Sequence, residues 1–195
     1  MSLLGNAQDA LSAAPRCRAF IGMGGNLGDV PARLLSALDG LSKLPGTCVE
    51  AVSSRYQSKP VDAGGPDYIN AVAVIQSALG PHELLNALLA LESAHDRERS
   101  YRNAPRTLDL DLLWYEGAVV DTESLTLPHP RMMQRAFVLE PLAEVMVFLL
   151  AQQEAPRKKH PDSAVWPTLP DEMSRQALAQ QQGISCQGPL VWVAS

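Results

Sequence analysis

A chain of 195 residues, 46% hydrophobic and 19% charged, is long enough for one domain with a substantial core, or one domain plus a tail. The net charge of −5 argues against general nucleic-acid binding, so a local basic cluster on such a chain suits a small anion. Three cysteines (Cys17, Cys48, Cys186), odd in number and without C-x-x-C spacing, argue against a disulfide framework or a zinc site and for reduced thiols in the cytoplasm. No secretory leader is expected, and the apolar run Val145 to Ala151 is too short to span a bilayer.

Residues 1–16 read as a mobile lead-in, 17–150 as the core domain and 151–195 as a C-terminal extension that packs on the core or trails from it. Arg18 to Met23 is a predicted strand, running into Gly22-Met23-Gly24-Gly25-Asn26-Leu27-Gly28-Asp29. This glycine-rich turn either approaches a phosphate or simply joins strand to helix, with Asp29 as N-cap. It lacks the Lys-Ser/Thr of a P-loop. Val30 to Leu44 has leucines at helical spacing and ends at Pro45-Gly46.

Thr47 to Tyr56 is a second predicted strand, Ser58 to Pro66 a loop and Tyr68 to Gln76 a third strand. Tyr68 and Asn70 share a face of that strand. They are either a surface tyrosine and a strand-end amide, or a ring and a carboxamide that hold a flat heterocycle. A helix starts at Pro81 with Leu84, Leu85, Leu88, Leu89 and Leu91 as its apolar face and Glu92 near its end.

Arg97 to Asp111, R-E-R-S-Y-R-N-A-P-R-T-L-D-L-D, is the most informative stretch. Four arginines precede Asp109 and Asp111, which lie in the predicted strand Leu108 to Tyr115. Residues two apart in a strand share a face, so the two carboxylates point the same way, roughly 7 Å apart at Cα. Desolvating such a pair is costly unless a cation sits between them. Mg²⁺ with a polyphosphate, gripped also by the guanidinium groups, fits the pattern. A strand edge salt-bridged to its own arginines fits it too. Ser100 to Pro105 reads as a mobile, ligand-covering loop.

Glu116-Gly117 is a predicted turn, with Ala118 to Asp121 beginning the hairpin partner of the preceding strand. Leu125 to Arg131 is extended and holds His129 between two prolines. Phe137 to Val145 is a predicted helix, Gln152 to Pro170 a loop, Glu172 to Gln182 a helix and Pro189 to Ala194 a last strand or tail. The order β-α-β-β-α-β implies an α+β, ferredoxin-like antiparallel sheet with helices on one face.

G-G-N-L-G-D, S-S-R-Y-Q-S-K-P-V, P-D-Y-I-N-A-V, P-R-T-L-D-L-D-L-L and L-T-L-P-H-P-R occur in this order. Together they resemble the 6-hydroxymethyl-7,8-dihydropterin pyrophosphokinases of folate biosynthesis, over about Phe20 to Glu144. The resemblance implies an enzyme that moves the diphosphate of ATP, its co-substrate, to the pterin hydroxymethyl group and releases AMP. It implies Asp109 and Asp111 as ligands of two Mg²⁺ ions, with Arg97, Arg99 and Arg106 on the phosphates. Glu92, Leu112, Thr126, His129 and Arg135 would complete the nucleotide side. Tyr68 and Phe137 would sandwich the pterin, Asn70 would bond its edge, and backbone near Ser58 and Val61 its polar rim. A cytoplasmic monomer with no nucleic-acid or membrane partner is expected.

The chain departs from the family where an Arg-Trp-Gly usually precedes Pro-Arg-Thr: here that place reads Arg102-Asn103-Ala104. Tyr101 could supply the missing aromatic cover, and Ser124 replaces a family arginine. A catalytically weakened homologue, or a non-catalytic ferredoxin-like binding module, is therefore the alternative.

Overall fold

The computed structural model describes residues 15–60, 65–95, 106–153 and 166–193. At its centre is strand β4, Tyr68–Ser77, apolar at nearly every position. Alternate side chains of a strand face opposite ways, so such a strand is stable only where both faces are covered. It pairs antiparallel with β1 (Cys17–Gly25), which pairs in turn with β5 (Asp109–Tyr115). On the other side of β4 lie β2 (Thr47–Val52) and β3 (Ser54–Ser58). The single strand expected over Thr47 to Tyr56 is thus two. The break is Ser53, whose hydroxyl accepts the Val72 N–H at 2.9 Å, a place a backbone carbonyl would otherwise fill.

Helices α1 (Val30–Ser42) and α2 (Pro81–Ser93) cover one face. Leu34, Leu38, Leu84 and Leu88 pack there on Ile21, Ala73, Ile75 and Leu112. Helix α3 (Ala136–Gln153) covers the other, placing Val138, Leu142, Val145 and Leu149 on Phe20, Val72, Val74 and Leu113. The expectation of helices on one face is corrected here: the strands are apolar on both sides, and each side has its own helical cover. Helix α3 also runs past the expected Val145, straight through Pro141. An internal proline costs about 3 kcal/mol. Four buried side chains at about 1.5–3 kcal/mol each outweigh it.

The segment Val120–Asp121 (β6) does not return along β5 as expected. It pairs with Thr126–Leu127 (β7) in a separate two-stranded ribbon, so among the described residues β5 is the last strand on its side of the sheet. Thr122 closes that ribbon by exchanging bonds with Leu125.

Beyond α3, Trp166 packs on Phe20, with ring centroids 5.6 Å apart, and under the Arg18 guanidinium. Helix α4 (Glu172–Gln182) forms where expected, capped by Asp171 and ended by Gly183 at φ 64. The last strand, β8 (Ser185–Pro189), lies earlier than the predicted Pro189 to Ala194 and extends the sheet beyond β3. Trp192 then donates its indole N–H to Asp39 on α1 at 2.8 Å, so the tail wraps the sheet edge from one helical layer to the other. Among the described residues, no helix is long and apolar enough to cross a membrane.

Candidate functional site

Across the three central strands, Gly24 of β1 stands opposite Asn70 on β4 and opposite Asp109 on β5. Gly22 likewise stands opposite Val72 and Asp111. Residues directly opposite in an antiparallel ladder share a face. Asp109, Asp111 and Asn70 therefore project from one side of the sheet, the side α3 covers further along. Two inter-strand steps of about 4.8 Å put Asp109 roughly 10 Å from Asn70.

The floor between them is glycine. A Cβ at Gly24 would lie 2.9 Å from Asn70 Oδ1, filling the trough that separates the amide from the acids. At Gly25, a Cβ would meet the Thr107 carbonyl at 2.6 Å. The glycine-rich turn is therefore a packing device for the Arg106–Thr107 backbone. Its next two N–H groups, those of Asn26 and Leu27, donate to the Arg106 carbonyl at 2.9 and 3.2 Å. The turn joins β1 to α1, and Asp29 caps α1 through the Ala32 N–H at 3.1 Å.

On the acid side, Arg106 hydrogen-bonds Asp109. Asp111 lies 3.9 Å from the Arg135 guanidinium and is half-buried. Burial, then the neighbouring Asp109 carboxylate, push Asp111 above the usual carboxylate range, against the pull of His129, Arg135 and Arg106. Burial and Arg131 pull Arg135 below its ordinary value, opposed by both aspartates. His129 is lowered, by burial first, against the pull of Asp111. Its Nδ1 accepts the Arg131 N–H at 3.2 Å, which leaves Nε2 as the nitrogen that carries a proton.

A cavity of about 580 Å³ opens at the outer edge of β5. Leu112, Thr126 and His129, three of the predicted nucleotide residues, line it beside the predicted metal ligand Asp111. Its far wall comes from α2: His82, Leu85, Asn86 and Leu89. These were missed. The signal was present in an apolar stripe too wide for one face: Leu84 and Leu88 enter the core, while Leu85 and Leu89 turn to the cavity. Glu92 is 1% exposed, and its carboxylate accepts the N–H of Leu110, between the two aspartates, at 2.8 Å. It is absent from the cavity wall and braces the acid strand from behind.

On the amide side, Asn70 Nδ2 donates to Ser58 Oγ at 2.9 Å and to the Tyr56 carbonyl at 3.3 Å. That fixes the carboxamide and turns Oδ1 over Gly24. Tyr68 stands two residues earlier on the same face, and Phe137 lies in the first turn of α3 close to Arg135, whose guanidinium carbon is 5.4 Å from the ring centroid. Asn26 was also missed: its Oδ1 accepts the Arg106 N–H at 2.8 Å and its Nδ2 donates to the Pro66 carbonyl at 3.1 Å. It ties the loop before Tyr68 to the segment before Asp109. The predicted Val61, Arg97 and Arg99, and the Ser100 to Pro105 lid, lie outside the described residues.

Two carboxylates and several cationic or N–H donors around a trough suit Mg²⁺ and phosphate oxygens, which share a preference for hard, charged partners. Asp109 and Asp111 supply only two ligands, so water and phosphate would complete a Mg²⁺ shell.

Residues 20–147 match the family model described as 7,8-dihydro-6-hydroxymethylpterin-pyrophosphokinase (HPPK). The 2-amino-4-hydroxy-6-hydroxymethyldihydropteridine pyrophosphokinase of Methylorubrum extorquens is 42% identical over 142 residues, 72% of this chain and 90% of that one. The protein of the same name from Synechocystis sp. is 38% identical over 164 residues, 78% of this chain and 80% of that one. A crystal structure of an HPPK-DHPS in complex with substrates shares the fold at a TM-score of 0.55 and 12% identity, covering 86% of this chain and 44% of that longer one. The chain belongs to the HPPK family of pterin pyrophosphokinases.

Proposed function

We propose that Asp109, Asp111, Asn70 and their neighbours carry out the family's reaction, transfer of the ATP diphosphate to 6-hydroxymethyl-7,8-dihydropterin in folate biosynthesis. The observation that carries this is the shared face. Two acids and one anchored amide stand about 10 Å apart across a glycine floor, with a nucleotide-sized cavity at the acid end.

Asn70 Oδ1 accepts a ring N–H of the pterin. Tyr68 and Phe137 offer faces for it to stack on. The nucleotide base enters the β5 edge cavity. The Leu110 N–H points out of the sheet to Glu92, so the N–H and C=O of Leu112, two residues on, point out as well. Arg106, Arg135 and the His129 Nε2–H face the phosphate oxygens as donors. Asp109 and Asp111 would hold two Mg²⁺ ions, which when bound neutralise charge on the phosphates. With both substrates aligned, the pterin hydroxymethyl oxygen attacks the β-phosphorus, the bond to the α-phosphate oxygen breaks and AMP leaves. The hydroxyl proton passes to solvent or weakly to Asp109. Positioning and charge neutralisation supply the catalysis, since such transfers need little covalent help.

The strand path β5-β1-β4-β3 with α1 and α2 as crossovers supports a ferredoxin-like core over 17–150, extended by 151–195. A cytoplasmic location fits the free thiols. The test is AMP release from ATP with and without the hydroxymethyl pterin. Pterin-dependent AMP release is expected. ATP and pterin binding without AMP would establish the weakened homologue instead, and binding of neither would leave only a structural module.

A further inference from the structure

We propose that Gln182, beyond the family match, is a positioning residue for this reaction: its carboxamide clamps the backbone on both sides of Arg135. Its Oε1 accepts the Ala136 N–H at 2.9 Å, and its Nε2 donates to the Gln134 carbonyl at 3.1 Å. Matched residues end at 147, so the clamp comes from a part of the chain outside the family pattern.

The clamp has a reason on each side. Ala136 opens α3, and the first N–H groups of a helix have no acceptor within it. Gln134 closes a short 3₁₀ turn, Met132–Gln134. A primary amide carries a donor and an acceptor on one small group, so one side chain can satisfy both. Between the two bonds, the Arg135 carbonyl accepts from Val138 and Leu139 at 3.0 and 2.9 Å, so the backbone of this residue is held from three directions.

What is held is the junction of the site. Arg135 reaches 3.9 Å from Asp111 and lies over Phe137, so a shift of this backbone moves a phosphate donor and a pterin face together. The clamp itself is built. Gly183, at φ 64, ends α4 directly after Gln182, and the Ile184 N–H returns to the Ala179 carbonyl. Upstream, Arg175 sits 3.7 Å from Glu140 on α3 and donates to the Pro170 carbonyl, docking α4 against α3.

The inference rests on the reading of Arg135 as a phosphate-contacting group, and the experiment separates the two. Steady-state kinetics for both substrates, with melting temperatures, are measured on the full chain and on Gln182→Ala, Arg135→Ala and the double variant. A clamp gives roughly a tenfold loss of kcat/KM for Gln182→Ala, from misalignment alone. It gives less than a further twofold loss of kcat/KM for ATP when Arg135 is already alanine, and any part that acts through Phe137 is read separately in the KM for pterin. Gln182→Glu keeps the Ala136 bond and loses the Gln134 bond, so it falls between. It also stands in if Gln182→Ala melts below the assay temperature. If Arg135→Ala is impaired while Gln182→Ala is within twofold of wild type, or the two losses multiply, the clamp is refuted and the site reading survives. If Arg135→Ala retains full activity, the site reading fails at that residue and the clamp with it.

Discussion

Asp109 and Asp111 were visible in the sequence because a two-residue period needs no tertiary knowledge: whichever way the strand faced, both acids had to face it together. Asp109→Ala is expected to lower kcat about 10³-fold or more, some 4 kcal/mol of transition-state stabilisation. Activity within a few-fold of wild type in a steady-state assay would sink the assignment. Asp111 carries a second consequence. Its carboxyl is raised in the folded protein, so the native state holds its proton more tightly than the unfolded chain does. Stability is therefore gained as pH falls through that raised value and lost as pH rises through it. In EDTA at pH 7, Asp111→Asn should melt higher than wild type. Solvent screening limits the gain to about 1 kcal/mol, or on the order of 2–4 °C. An unchanged or lower melting temperature would contradict the strained pair. For Asn70→Ala, calorimetry should show pterin affinity weakened by about 1–3 kcal/mol. Asn26 was illegible for the opposite reason to the aspartates: its partners, Arg106 and Pro66, lie 80 and 40 residues away along the chain.

Among the elements, strands and helices read well where burial is periodic and poorly where a single side chain sets the break. Ser53 splits β2 from β3 through one hydroxyl, and no pattern announces it. Helix α2 was placed correctly but its role was half seen, because a helix that serves both a core and a cavity shows one broad apolar stripe. Leu89, 37% exposed, should be dispensable for folding. Leu89→Asp is expected to raise KM for ATP several-fold by placing a charge against the cavity, with melting little changed. An unaltered KM would remove α2 from the nucleotide site. The glycine floor makes a sharper demand. Gly24→Ala puts a methyl group 2.9 Å from Asn70 Oδ1, and should weaken pterin binding about tenfold while the strand itself remains folded. Full pterin affinity in that variant would mean that the trough is not where the ring lies.

For the molecule as a whole, the core was legible and the docking of residues 151–195 was not. Helix α4 was found from its own sequence, but its docking and the strand that follows depend on contacts with distant segments. Trp166 on Phe20 and Arg18, Trp192 on Asp39 and β8 on β3 make the extension part of the folded unit. Trp166→Ala should therefore cost about 1–3 kcal/mol in urea unfolding, and a cost near zero would mean that the segment is an accessory. The central claim is that Asp109 and Asp111 jointly hold the divalent cations that bring a nucleotide to the pterin. It is tested most directly by electron paramagnetic resonance of Mn²⁺, titrated in the presence of a non-hydrolysable ATP analogue into wild type and Asp109→Asn/Asp111→Asn. The account expects protein-bound Mn²⁺ in the wild type and its loss in the double variant, with calorimetric pterin affinity kept. Equal Mn²⁺ binding by both proteins would contradict it.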